Sequence, residues 1–193
     1  MHTFIHFWTN HVAGVPAPAI AFLQTYARIK TYPAGTHLMR PGDLWPYWNF
    51  VEEGAVMALR YDADGGVEPR WLVTAGTYFT GTVHAFTSRR DDIFIRCLLD
   101  TRVVQLPNYR LQEAQRLYHS VSELINILKQ HRIEQDAVLD SVFRHVGGEA
   151  RVAAFFDAYP RVVPQLSRDQ LCTVLRVSPS TYQRAKRRYY RRR

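Results

Sequence analysis

The chain has 193 residues, 47% hydrophobic and 13% aromatic, so it can bury a real core and needs neither disorder nor a disulfide scaffold to explain it. Its two cysteines, Cys97 and Cys172, lie far apart and cannot by themselves assemble a zinc site or a cysteine-held iron–sulfur cluster. The first Lys or Arg is Arg28 and no apolar run reaches about 18 residues, so the expectation is a cytoplasmic protein without a secretory signal or membrane span.

Residues 16–29 place Ile20, Leu23 and Ala27 on one face behind Pro16 and Pro18, which predicts a short amphipathic helix. From Lys30 to Leu106 short apolar alternations are punctuated by Pro33-Ala34-Gly35, Pro41-Gly42-Asp43, Glu53-Gly54, the stretch 62–66, Ala75-Gly76 and Gly81. Turn signals about ten residues apart with glycine at the corners predict an all-β roll or sandwich. Val56 with Ala58 and Trp71 with Val73 show period-two spacing, and Asp64-Gly65 is a hairpin signal. Ile93, Ile95 and Cys97, then Val103 and Leu106, read as two closing strands, with Cys97 a packed core residue rather than a redox group.

Residues 110–142 contain no Gly or Pro, and Leu117, Val121, Leu124, Leu128, Val138 and Val142 recur at intervals built from threes and fours. That predicts one long helix with a heptad-like seam, interrupted by His131 and Gln135. Leu117, Val121, Leu124 and Leu128 are the candidate dimer interface; packing of the same seam on the chain's own roll is the alternative. Gly147-Gly148 breaks the helix, and residues 149–159 form a second one with Val152, Phe155 and Phe156 inward, ended by Pro160. The expected organisation is α+β: a roll over 1–109, a long dimerisation helix over 110–146 and a helical domain over 147–193.

The net charge of +8 belongs to the last part: residues 151–193 carry 11 Lys and Arg against 2 Asp and Glu, and the first 150 carry 14 against 15. Such a field attracts polyanions and releases their condensed counterions, although a basic tail kept for solubility has the same composition. Within this region Ser167 followed by Gln170 is a capping box that starts a helix. Ser178-Pro179 is an N-cap followed by proline at the first helical position, so a second helix begins after a short turn. Leu171, Leu175, Val177, Tyr182 and Ala185 stand where a helix-turn-helix needs apolar contacts, and Cys172 where only a small side chain fits.

Ser180, Gln183, Arg184 and Arg187 then project outward at intervals of three and four. Arg184 suits guanine O6 and N7, and Gln183 suits adenine. Ser178, Thr181 and the exposed amides at the helix start suit phosphate oxygens, with Arg168, Arg187 and Arg188 adding backbone contacts.

With these residues in place, the whole chain resembles the Crp/Fnr family of bacterial regulators, especially its short-tailed members. The resemblance rests on Pro33-Ala34-Gly35-Thr36, Gly42-Asp43, Val51-Glu52-Glu53-Gly54 and Gly76-Thr77-Tyr78-Phe79, and on the ending from Val177 to Arg184. It implies a double-stranded β-helix of jelly-roll type, similar to cyclic nucleotide-binding domains, then a helix that pairs two subunits, then a C-terminal helix-turn-helix.

It also implies an effector pocket, and there the sequence departs from the pattern. Where nucleotide-binding relatives carry Gly-Glu for the ribose, this chain has Gly81-Thr82; the later Arg-Ser place falls on Asp91-Asp92, with Arg89-Arg90 just upstream. A carboxylate where the phosphate sits turns attraction into repulsion of about 4 kcal/mol at ~4 Å and an effective dielectric near 20. The expectation is therefore a degenerate pocket at Gly81, Thr82, Arg89, Arg90, Asp91 and Asp92 that does not take cyclic nucleotides, leaving an unknown small-molecule effector. The expectation is also that the two-stranded wing of longer relatives has little room to form after the second helix. Arg176 occupies a turn position where glycine is common.

The expected function is a non-enzymatic, cofactor-free transcription regulator that binds double-stranded DNA as a homodimer on a pseudo-palindrome. Two rivals stand beside it. A cupin-like metalloenzyme needs a His-x-His pair with further ligands, and the roll offers only His37 and His84. A degenerate relative serving as a protein-interaction module predicts weak, sequence-indifferent nucleic-acid binding.

Overall fold

The computed structural model describes residues 1–61, 66–87 and 89–191. Two helices, α1 (His2–His11) and α2 (Ala17–Tyr26), precede eight strands: β1 (Arg28–Tyr32), β2 (His37–Met39), β3 (Trp45–Glu53), β4 (Ala55–Tyr61), β5 (Val67–Thr74), β6 (Tyr78–Gly81), β7 (Phe94–Cys97) and β8 (Thr101–Pro107). The strands form two antiparallel sheets ordered β1-β8-β3-β6 and β2-β7-β4-β5, the paired sheets of a jelly roll. Helices α3 (Asn108–Leu117), α4 (His119–Phe143), α5 (Gly148–Ala158), α6 (Arg168–Leu175) and α7 (Pro179–Arg191) follow.

The alternation noted in the sequence is what closes the roll. Val51, Val56, Ala58, Val73, Phe79, Ile93, Ile95, Cys97 and Val103 form one buried cluster between the sheets. Burial pushes the Cys97 thiol up to about 11, so it stays protonated at neutral pH and packs as a small apolar group. Gly54 has φ +92°, and a methyl group there would lie 2.4 Å from the Asp100 carbonyl, so the β3–β4 corner requires glycine. β4 and β5 pair as a hairpin, but the Asp64-Gly65 signal falls outside the described residues.

The N-terminal segment, which carried no expectation, is helical as α1. Phe4 and Trp8 lie one turn apart on its inner face and pack with Trp48, Phe50, Val104 and Leu106. The buried Glu52 carboxylate pins the start of this helix: it accepts from the Met1 ammonium at 2.6 Å and the Phe4 amide at 3.2 Å, with Arg102 Nε 3.2 Å away. A charge buried this deeply is tolerable only because it is paired. The helix expected over 16–29 is shorter, and Arg28 and Ile29 belong to β1.

The long helix expected over 110–142 is two helices, because Tyr118 is extended with φ −134° and ψ 111°. The expected dimer seam also needs correction. Val121, Leu124 and Leu128 are buried against α1, α2 and the roll, and Trp8 Nε1 donates to the Ser120 carbonyl at 3.1 Å, while Leu117 is 59% exposed. At Val121, Leu124 and Leu128 the seam thus closes on its own chain, and Leu117 stays outside it. The opposite face of α4 exposes Asn126, Gln130, Ile133 and Ala137, themselves at alternating intervals of four and three.

The C-terminal helices do not stand apart from the roll. Met57, Leu59, Leu72, Leu98 and Leu99 share a continuous buried cluster with Leu139, Val142, Val152, Phe155, Leu171, Val174 and Leu175. This docking sets the direction in which α7 faces.

Candidate nucleic-acid interface

Both local signals for the two-helix unit are present as hydrogen bonds. Ser167 Oγ accepts from the Gln170 amide at 3.2 Å while Gln170 Oε1 accepts from the Ser167 amide at 2.8 Å, the reciprocal capping box that starts α6. α6 ends at Arg176, which is left-handed at φ 53° and ψ 50°, the only described non-glycine residue with positive φ. That conformation turns the chain so that the Val177 amide donates to the Cys172 carbonyl at 3.1 Å. Ser178 Oγ then accepts from the Thr181 amide at 3.2 Å, and Pro179 opens α7.

Tyr182 and Ala185 are each 3% exposed and pack α7 onto α5 and α6, with Phe156 meeting Tyr182 and Tyr189 edge-on. Burial raises the pKa of both the Tyr182 hydroxyl and the Cys172 thiol, as expected of packing residues. The opposite face of α7 shows Ser180, Gln183, Arg184 and Arg187 to solvent, with Lys186, Arg188 and Arg191 beside them. Tyr189 Oη donates to Asp157 Oδ1 at 2.6 Å, tying the last turns of α7 to α5.

Other expected contact residues are divided by their partners. Ser178 and Thr181 spend their hydroxyls locally, 2.9 Å from each other, and Ser178 Oγ is also 2.9 Å from Ser180 Oγ. Arg168 is exposed at the start of α6 beside Asp169 at 3.2 Å. Arg184 and Arg188 share one carboxylate, Glu149 on the first turn of α5: Arg184 Nε donates to Oε1, and Arg188 Nη1 lies 2.5 Å from Oε2. The Arg184 hydrogen bond, with help from Arg188, holds the Glu149 carboxyl below the usual carboxylate range. Sequence reasoning missed Glu149; the available signal was an isolated acid just before the basic segment.

Two of the six residues expected to form an effector pocket share a cavity. A cavity of about 360 Å³ opens between β6, the following turn and α4, and Thr82 and Asp91 line it. Gly81, Arg89, Arg90 and Asp92 are not among the residues that line this cavity. A methyl group at Gly81 would meet the Trp45 carbonyl at 2.3 Å, so that glycine serves strand packing. Arg90 Nη1 instead donates to the Gly42 carbonyl at 2.8 Å, and the Asp92 carbonyl accepts from Arg60 Nε at 3.3 Å.

The cations that reach the cavity come from α4, as Lys129 and Arg132, and sequence reasoning missed both. Arg132 is already engaged, with Nε 3.0 Å from both Asp136 oxygens and its guanidinium 4.5 Å from the Trp71 ring centre. Burial raises the Asp136 carboxyl against the opposing pull of Arg132. Asp91 stands on the cavity wall and Arg132 is paired, while the Lys129 ammonium lies 5.9 Å from the Phe86 ring centre.

No protein-family model and no curated protein matches the chain by sequence. Solved structures do match it by fold. FixK2 from Bradyrhizobium japonicum is 17% identical with a TM-score of 0.68 over 86% of this chain and 85% of that one. The c-di-GMP-responsive global regulator CLP from Xanthomonas campestris is 16% identical with a TM-score of 0.65 over 91% and 92%. A CRP-family transcriptional regulator from Thermus thermophilus, TTHB099, is 14% identical with a TM-score of 0.65 over 84% and 85%. At these identities the likeness concerns the fold, and it covers most of each chain.

Proposed function

We propose that this chain, which has the Crp/Fnr fold, is a DNA-binding transcription regulator that inserts α7 into a major groove. The observation that carries this reading is the two-sidedness of α7: Tyr182 and Ala185 are buried while Ser180, Gln183, Arg184 and Arg187 are exposed on a helix rich in cations. Arg184 and Gln183 read base edges; Arg168, Arg187 and Arg188 contact phosphates, while Ser178 and Thr181, whose hydroxyls bond each other, fix the start of the helix beside the backbone. The protein works without enzymatic activity, with a sensor roll over 1–109, a connecting helical part over 110–146 and a DNA-binding part over 147–193.

It binds as a homodimer to a pseudo-palindrome with half-sites about one helical turn apart. The dimer face is the exposed α4 stripe through Asn126, Gln130, Ile133 and Ala137, since Val121, Leu124 and Leu128 are occupied within the chain. Any effector of the roll is a small molecule other than a cyclic nucleotide, in keeping with Asp91 and the paired Arg132 at the cavity.

Selection of bound fragments from random double-stranded DNA at a stated salt concentration tests this reading. Recovery of a two-fold symmetric motif with the stated spacing is expected. Recovery of unrelated fragments held only at low salt would replace it with the protein-interaction reading.

A further inference from the structure

We infer that Glu149 is a positioning residue for DNA reading, holding the Arg184 guanidinium by its Nε edge so that the two terminal nitrogens are presented to a guanine. The inference rests on the proposed DNA-binding role of α7 and adds to it a specificity determinant on a different helix.

Three observations converge on it. First, the carboxylate takes Arg184 at Nε and Arg188 at Nη1, so both Arg184 Nη atoms stay available for the paired contacts with guanine O6 and N7. Second, the anion sits behind the cations: the Glu149 side chain is 27% exposed, against 59% for Arg184 and 65% for Arg188. A carboxylate in that place steers the guanidiniums without standing between them and DNA.

Third, the support under Glu149 is built closely. At Gly148 a methyl group would lie 3.0 Å from both Val177 Cγ1 and Thr181 Cγ2, so glycine lets α5 approach the start of α7. Arg151 Nη1 donates to the Leu175 carbonyl at 3.0 Å, and its Nε and Nη2 donate to the His145 carbonyl, tying α5 to the turn that aims α7. An arginine on a solvent face otherwise samples many rotamers, and its guanidinium serves a phosphate as readily as a base. One carboxylate shared by two arginines removes that freedom and lowers the local positive charge, favouring hydrogen-bonded reading over attraction to any backbone.

The full-length protein with Glu149→Ala and Glu149→Gln is compared with wild type on the recovered motif and on its variant at the base read by Arg184. Glu149→Ala is expected to cut discrimination by about ten-fold while tightening binding to random DNA and steepening the salt dependence by roughly one counterion. Glu149→Gln, which keeps acceptor oxygen but no charge, restores part of the discrimination. In an Arg184→Ala background Glu149→Ala costs no further discrimination, which separates positioning from general damage; unchanged denaturation midpoints exclude misfolding.

A second readout needs no DNA: the Arg184 Nε–H resonance, protected in the wild-type protein, is expected to lose protection in Glu149→Ala. If wild type discriminates and Glu149→Ala discriminates equally, or binds the motif more tightly with selectivity intact, the positioning role is overturned and the DNA-binding reading survives. If wild type recovers no motif, the DNA-binding reading itself falls.

Discussion

Helices α4 and α7 both carry a periodic apolar stripe, yet only on α7 does the exposed face lie where the stripe implies. On α7 the chemistry is one-sided: Tyr182 and Ala185 face inward and nearly everything else is cationic or polar, so a single orientation satisfies it. α4 has apolar groups on more than one side, with Val121, Leu124 and Leu128 on one face and Ile133 exposed on the other. The stripe chosen for burial is the one that α1 and the roll cover through Phe4, Trp8 and Trp48. A periodic stripe therefore shows that a face is buried without saying by what, unless the opposite face is chemically unfit for burial.

The sharpest way to break this contrast is Leu124→Ala. If the α4 seam belongs to the monomer core, the substitution should destabilise the fold by about 2–5 kcal/mol at every protein concentration in a denaturant titration. A concentration-dependent effect would return the seam to the subunit interface. Ile133→Asp is the counterpart, expected to weaken the proposed dimer in sedimentation with little change in monomer stability.

On α7, Arg184→Ala should lose about 1–3 kcal/mol of discrimination at one base position, whereas Arg187→Ala should weaken all sequences alike and reduce the salt slope by about one. Equal effects of both on every sequence would dissolve the division between reading and anchoring. Arg176→Gly should stabilise the protein by about 1 kcal/mol in thermal unfolding, because its left-handed backbone strains any residue with a Cβ. The smallest effect is expected in the roll: cyclic AMP at a hundred times a typical micromolar Kd would add about 2.7 kcal/mol if it bound, and no shift is expected.

Legibility followed the same division. The strands of the roll, the Ser167–Gln170 capping box and the Ser178-Pro179 start of α7 were readable because each is decided by neighbours within a few positions. Arg176 was readable as a strained turn for the same reason. The α1 helix was not, since its sequence lacks strong start and stop signals and its burial depends on Glu52 and Trp48, far along the chain. The break at Tyr118, the Lys129 and Arg132 walls of the cavity and the Glu149 bridge were equally hidden.

The sequence by itself determined a β-roll followed by a cationic helix pair, because strand alternation, capping and one-sided charge are local properties of the chain. Only the tertiary structure decided which face of α4 remains free and which carboxylate meets Arg184. Those outcomes depend on surfaces brought together from distant segments, where burial of one stripe excludes another and a side chain's partner is set by packing rather than by spacing.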